Sequence, residues 1–286
     1  MKRTVAVVLT LVAAGGGAGC QDGSGGERPK SGPRTSAAVA LPEVPLPDDP
    51  KALATLVNEK VGALPSVRVS VNTTTVTNQG KASVALWGTV RNPSGQRTAA
   101  SFKVVETGGP EPGTSETVVL DGAVYLKNDG GEYEPGRPWL RVTREDLTRP
   151  GIDETTRKTF ASAFEEAQQG LREAAATRGL TALQDGALIQ EPVWEQLEGT
   201  QVRRYSGKTE AASLRQSTDR GLRALAEAGV TSVPWVVWVD RRGLLRQFSA
   251  TVASGPTSMD IKAVYSGWGE PVNVTPPPER QTATLG

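Results

Sequence analysis

The stretch VPWVVWVDRRGLL, Val233 to Leu245, decides how this chain folds. In an extended chain Trp235, Val237 and Val239 lie on one face, and Val236 and Trp238 on the other. Both faces are apolar, and the run ends at Asp240-Arg241-Arg242-Gly243, a hairpin loop with Gly243 suited to the left-handed region. On the returning strand Leu244, Phe248, Ala250 and Val252 share one face, whereas Gln247, Ser249 and Thr251 share the other with Leu245. A slip of one residue in the pairing would swap which tryptophan faces inward, and the sequence leaves that register open.

Working outward, strand signals recur. SVRVSVNTTT sets Val67, Val69 and Val71 against Arg68, Ser70 and Asn72. KASVALWGTVR and RTAASFKVVE are joined by Asn92-Pro93-Ser94-Gly95, and SETVVLDGAVYLKN turns at Asp121-Gly122. PWLRVT, EGTQVRRYSGKT, LLRQFSATVA and SMDIKAVYSGWGEPVNV complete the set, and successive hairpins predict a large antiparallel sheet. Three amphipathic helices are predicted over Asp49–Val61, Asp153–Arg178 and Ala211–Ala228. Asp153 is the expected N-cap of the second; Gly179 and Gly229 are the expected stops of the second and third.

The whole chain bounds the chemistry. Its 286 residues carry a net charge of +1, without the basic excess of a nucleic-acid binder. Histidine is absent, which removes Ser-His and Cys-His nucleophile pairs and imidazole metal sites. The single cysteine permits no intramolecular disulfide, thiolate cage or CxxC redox pair. Glu165-Glu166 point to different sides of a helix, which suits a solvated surface, and Asp48-Asp49 is the other acidic pair noted. The Gly15-Gly16-Gly17 run is not a phosphate loop. No enzyme activity, cofactor or metal site is expected. Arg203-Arg204 and Arg241-Arg242 are either solubilising residues or contacts for anionic lipid headgroups, where each charge would contribute about 1 kcal/mol.

The first residues read as a lipoprotein signal. Lys2 and Arg3 precede an apolar run, Thr4 to Ala14, too short to span a membrane, and small residues lead to Cys20. Gly17 departs from the Leu, Val or Ala that such signals prefer. An ordinary secretory signal is the alternative. The expected organisation is a signal over residues 1–19, a Gly/Ser/Pro-rich tether over 20–47, one folded domain over 48–274 and a polar tail over 275–286. The tether's expected coil span is roughly 25–30 Å, and acylation of Cys20, palmitate among the chains, would hold the protein outside the cytoplasm on a membrane.

The order of lipidated cysteine, leash, helix, strands and helical middle, followed by VPWVVWVDRRGLLRQF and MDIKAVYSGWGEPVNVTPP, resembles the actinobacterial LppX/LprA/LprF/LprG-type lipoproteins. GAVYLKN, RPWLRVT and EQLEGTQVRRYSG contribute to the resemblance, which covers about Asp48 to Pro278. These proteins share the fold of the carrier LolA and the sensor RseB. The resemblance implies an α+β fold, a curved antiparallel half-barrel sheet wrapped over a few helices with an apolar cavity between. It implies a lipid or acylated ligand and a non-catalytic protein. The motif residues Trp139, Tyr205, Trp238, Asp240, Gly243, Tyr265, Trp268 and Gly269 are read as structural. Alternation nominates Val69, Val71, Leu86, Phe102, Val104, Val118, Leu120, Phe160, Phe164, Trp238 and Phe248 as cavity-facing. The rival reading is an envelope interaction or sensor module, docking on a membrane protein, whose helices close the interior completely.

Overall fold

The computed structural model describes residues 41–91, 99–109, 112–120, 122–174, 178–217 and 219–285. The expected signal, Cys20, Asn92-Pro93-Ser94-Gly95 and Asp121 lie outside the described residues.

Among the described residues the strands are β1 (Ser66–Thr77), β2 (Gly80–Arg91), β3 (Ala99–Thr107), β4 (Gly113–Leu120), β5 (Ala123–Asn128), β6 (Trp139–Thr143), β7 (Ala187–Leu188), β8 (Val193–Leu197), β9 (Thr200–Glu210), β10 (Ser232–Asp240), β11 (Leu245–Ser254), β12 (Thr257–Ser266) and β13 (Thr282–Thr284). The helices are α1 (Pro50–Gly62), α2 (Arg144–Thr148), α3 (Glu154–Ala174), α4 (Arg178–Gln184), α5 (Ala211–Gln216) and α6 (Arg220–Glu227). All thirteen strands join one open sheet in the order β13-β6-β5-β4-β3-β2-β1-β12-β11-β10-β9-β7, with β8 also paired to β9. Every neighbouring pair is antiparallel except β13 with β6, so the sheet is mixed rather than purely antiparallel.

The opening stretch lies deep within this sheet, with β10 between β9 and β11. Val233, Trp235, Val237 and Val239 are buried under the helices, and Pro234, Val236 and Trp238 face outward. The register has Trp235 opposite Ala250 and Val237 opposite Phe248, then a bulge places Val239 opposite Leu245. One extra residue in a bulge reverses the alternation. Leu245, expected on the polar face, therefore joins Phe248 and Ala250 on the helix face. Gly243 sits at φ 79° as expected, and a Cβ there would lie 3.2 Å from Lys60 and Val44.

Polar side chains set the helix ends. Asp49 caps α1, its Oδ1 accepting from Ala52 N at 2.7 Å, and Asp153 caps the start of α3 through Thr156 N at 3.0 Å. Gly179 is not a stop, because α4 begins at Arg178 and runs through it. The single helix expected over Ala211–Ala228 is two. Ser217 Oγ accepts from Asp219 N at 3.1 Å, and Asp219 caps α6 through Leu222 N at 3.1 Å. These side-chain-to-backbone bonds offer the chain a new start in place of helix continuation. Helix α2, unforeseen, is nucleated by a capping box between Thr143 and Asp146.

Both ends of the expected domain extend further. Leu41 and Leu46 pack on the core, and Val44 N donates to Arg241 O at 2.8 Å. Val274, at the end of the expected domain, meets Val118 and Trp139 on the outer face, and the stretch read as a polar tail forms β13. Ala283 and Leu285 are buried in the core despite their polar surroundings in sequence. Truncation after Pro278 removes both and should destabilise the domain by about 2–5 kcal/mol, the range for emptying a large buried apolar site. An unchanged urea midpoint would refute this.

Candidate functional site

The helices divide the inner face of the sheet into two cores. Helices α4 and α5 sit on β9 and α5 also on β10, while α3 sits on β4, β5 and β6. One core holds Leu53, Val57, Leu180, Leu214, Trp235, Val237 and Phe248. The other holds Val90, Phe102, Val119, Leu126, Leu140, Phe164 and Ala167. Tyr265 and Trp268 border both.

Between the cores run the middle portions of β12, β1, β2 and β3. Cross-strand registers place Ile261 and Met259 beside Thr73 and Thr75, Val71 beside Leu86, and Leu86 beside Val104 on the inner face. Val69, Val71, Val84, Leu86, Val104, Met259 and Ile261 are only partly buried. Val71 and Met259 pack against the first core and Val69 and Leu86 against the second, so that of this apolar strip Val84, Val104 and Ile261 belong to neither. Phe160 of α3 and Leu222 of α6, also partly buried, belong to the two flanking cores.

Burial is graded along the strip. At the end near the β10–β11 loop, Val67, Val90, Ala100 and Val119 are 5, 1, 0 and 0% exposed. That end is sealed by Trp268, whose indole N–H donates to Leu245 O at 2.8 Å, and by Tyr265, stacked on it with ring centroids 5.9 Å apart. A Cβ at Gly88 would lie 2.2 Å from the Phe102 ring, so only glycine lets that ring lie across β2. Toward the opposite end the inner face becomes polar and more open, with Thr73, Thr75, Glu106, Ser115 and Asn128 all partly buried. Glu106 is the one charged residue at inward-facing positions of β1–β5 and β10–β12. The candidate site is this partly buried apolar strip of the inner face, bordered by aromatic rings at one end and by polar residues at the other.

Six expected lining residues on strands, Val69, Val71, Leu86, Phe102, Val104 and Phe248, face inward. Phe102 and Phe248 are buried in the flanking cores, as is Phe164 of α3. Val118 and Leu120 face outward, because Val119 between them pairs with inward-facing Ala100 and Val124. They pack with Trp139 and Val274 instead. Trp238 also faces outward and donates from its indole to Glu195 Oε1 at 2.6 Å. Missing from the expected set were Val84, Met259 and Ile261, although the alternation Met259, Ile261, Ala263, Tyr265 was present in the sequence.

The basic pairs are engaged by carboxylates. Arg203 meets Asp48 and donates to Leu46 O at 2.8 Å, Arg204 meets Glu195 at 3.1 Å, Arg241 meets Glu43 at 3.1 Å, and Arg242 meets buried Asp240 at 2.8 Å. Glu165 pairs with Arg144 at 2.7 Å. Two open troughs of about 370 and 470 Å³ lie on the outer face and have mixed linings, including Asp260 and Lys262 in one and Arg68, Lys103 and Glu116 in the other. Among the described residues no cluster of three potential metal ligands occurs, and no helix is long and apolar enough to cross a membrane.

Burial shifts three tyrosines. The Tyr133, Tyr205 and Tyr265 hydroxyls are each pushed up to about 12 by desolvation of the phenolate. In the unfolded chain they would ionise near pH 10. Their contribution is therefore intact below pH 10 and is lost as pH rises from 10 through 12. Alkaline titration followed at 295 nm should show phenolate appearing late and together with unfolding. Smooth ionisation of all four tyrosines at pH 10 in folded protein would contradict the burial.

No protein-family model and no curated protein matches the sequence. Among solved structures, LprF from Mycobacterium bovis is 17% identical with a TM-score of 0.43, covering 80% of this chain and 96% of that one. The lipoprotein LppX from Mycobacterium tuberculosis is 20% identical with a TM-score of 0.43, covering 79% of this chain and 98% of that one. A chain of the Pseudomonas aeruginosa MucA/MucB complex is more distant, at 10% identity and a TM-score of 0.29, covering 81% of this chain and 59% of the matched chain.

Proposed function

We propose that the protein is a membrane-anchored lipoprotein of the cell envelope that binds a lipid or other acylated ligand in the inner groove, and carries it. The observation behind this reading is the partly buried apolar strip from Val69 and Val71 to Met259 and Ile261, of which Val84, Val104 and Ile261 pack in neither core. Alkyl chains entering it leave water, a transfer that contributes roughly 25 cal/mol per Å² of apolar area buried. A closed interaction or sensor module would bury these side chains as fully as Trp235 or Val119, and their partial exposure favours the binding reading. Anchoring is assigned to acyl chains on Cys20, which places the domain outside the cytoplasm. The ligand's role is physical, with no bond made or broken.

Native mass spectrometry of the mature chain, expressed in an actinobacterial host, tests this. The expected result is a co-purifying acyl ligand, displaced by a fluorescent fatty acid whose emission rises on uptake. Protein that is repeatedly ligand-free and takes up no fatty acid would overturn the proposal.

A further inference from the structure

We infer that the outer face of the sheet carries a second binding site, a trough beside Trp87 that takes an acidic saccharide, with one pyranose ring stacked on the indole and its carboxylate on Lys103. The site lies on the opposite face from the apolar strip and does not depend on the lipid-binding reading.

Side chains pointing away from the helices on β12, β1, β2, β3 and β4 build this trough. It measures about 470 Å³, within the size range of small-molecule sites. Trp87 is 46% exposed and stands between its cross-strand neighbours, Ser70 on β1 and Lys103 on β3. The other outward tryptophans are engaged. Trp139 packs with Val118 and Val274 and lies under Lys127, and Trp238 donates to Glu195. Trp194, exposed to the same degree as Trp87, has the Arg241 guanidinium over its ring at 5.2 Å. Among the described residues no ring or cation covers Trp87, and its indole N–H has no protein acceptor.

Two properties of the lining choose the ligand. The first is its hydroxyls. Ser70, Thr89, Ser101 and Ser266 line the trough, and among the described residues none of their side-chain oxygens is engaged by protein. A pyranose presents the matching surfaces. Its C–H groups are polarised toward the negative face of an indole, and its rim hydroxyls suit groups that both donate and accept. An alkyl chain would cover the same hydroxyls and leave them without partners. The second property is charge. Arg68 pairs with Glu270, and Glu116 pairs with Lys127 at 3.0 Å. Lys103 lies across from Glu116 in the β3–β4 ladder, yet among the described residues it is the cation of this trough left without a carboxylate. Directly opposed strand residues have Cβ atoms about 5 Å apart. A carboxylate on a ring stacked at Trp87 is therefore within reach of Lys103 and gains a charge-assisted hydrogen bond. A membrane surface fits less well, because one indole among hydroxyls brings little apolar area to insert.

Titration calorimetry of the purified chain with a galacturonic acid trimer tests this, with the fully methyl-esterified trimer as the uncharged comparison. The native chain should bind the acid at least tenfold more tightly than the ester, and that preference should shrink as salt is raised. Trp87→Ala should weaken binding of the acid at least tenfold, whereas Trp87→Tyr should stay within threefold of native. Lys103→Gln should abolish the preference for acid over ester, which checks the site independently of how well Trp87→Ala folds. Absence of binding by the native chain at millimolar trimer would overturn the inference, as would equal affinity for acid and ester or unchanged affinity in folded Trp87→Ala. Trp87-dependent co-sedimentation with phosphatidylethanolamine/phosphatidylglycerol vesicles, without saccharide binding, would assign the trough to a membrane surface and overturn it as well.

Discussion

A Trp235→Ala variant should lose about 3–5 kcal/mol of stability, the range for truncating a large buried aromatic. Trp235 is 1% exposed, its indole donates to Thr209 Oγ1 at 3.1 Å, and Thr209 in turn donates to Ala182 O. The ring thereby joins β10, β9 and the end of α4. Its six-membered ring lies over Gly207, where a Cβ would be 2.3 Å from it and 2.6 Å from Ala187 O. Gly207→Ala should therefore be costly in the native protein and partly relieved beside Trp235→Ala, because the clash with the ring is gone while that with Ala187 O remains. At roughly 2–4 °C per kcal/mol for a domain of this size, Trp235→Ala should lower Tm by about 6–20 °C. A double-mutant cycle of thermal melts checks both points. Strict additivity would mean that the two residues do not share one packed site.

The second large effect concerns ligand rather than fold. Val84→Arg and Ile261→Arg place a guanidinium in the strip at positions that are only partly buried and belong to neither core. In the empty protein each arginine can reach water along the groove, so stability should change by under about 1 kcal/mol. With an alkyl chain in place the charge would be desolvated, a cost of several kcal/mol. Affinity for a fluorescent fatty acid should then fall at least 100-fold. Equivalent outward substitutions, Ser249→Arg and Asn72→Arg, should leave affinity unchanged. Undiminished uptake by the two inward variants would exclude this strip as the binding surface.

The sequence revealed the sheet better than its faces. The β10–β11 hairpin was legible because Asp240-Arg241-Arg242-Gly243 ends a strand with strong apolar periodicity. Its sidedness was not, since both faces of β10 are apolar and the bulge at Arg246 has no composition signal. Val118 and Leu120 were assigned inward for a similar reason. Val118-Val119-Leu120 is a continuous apolar run, and its outer side is covered by Val274 and Trp139 from distant parts of the chain. Alternation can be read only where one face meets water. The tail was hidden by composition, because Ala283 and Leu285 are two apolar residues among polar ones, and only the free edge of β6 gives them a place. An apolar cavity was expected from the resemblance alone. Its position between two cores required the register of β1 against β12.

That last pairing has a kinetic corollary. The floor of the groove joins Thr73 to Ile261 and Val71 to Ala263, neighbours separated by about 190 positions. Closing so long a loop comes at a large entropic cost, and folds dominated by such distant pairings form slowly. While the chain emerges amino-terminus first, β1 must wait unpaired on that edge until nearly everything else has been made. The greasy floor is thus completed late, after the hairpins on either side have formed, and an early-stalled chain would expose it as a sticky strand edge.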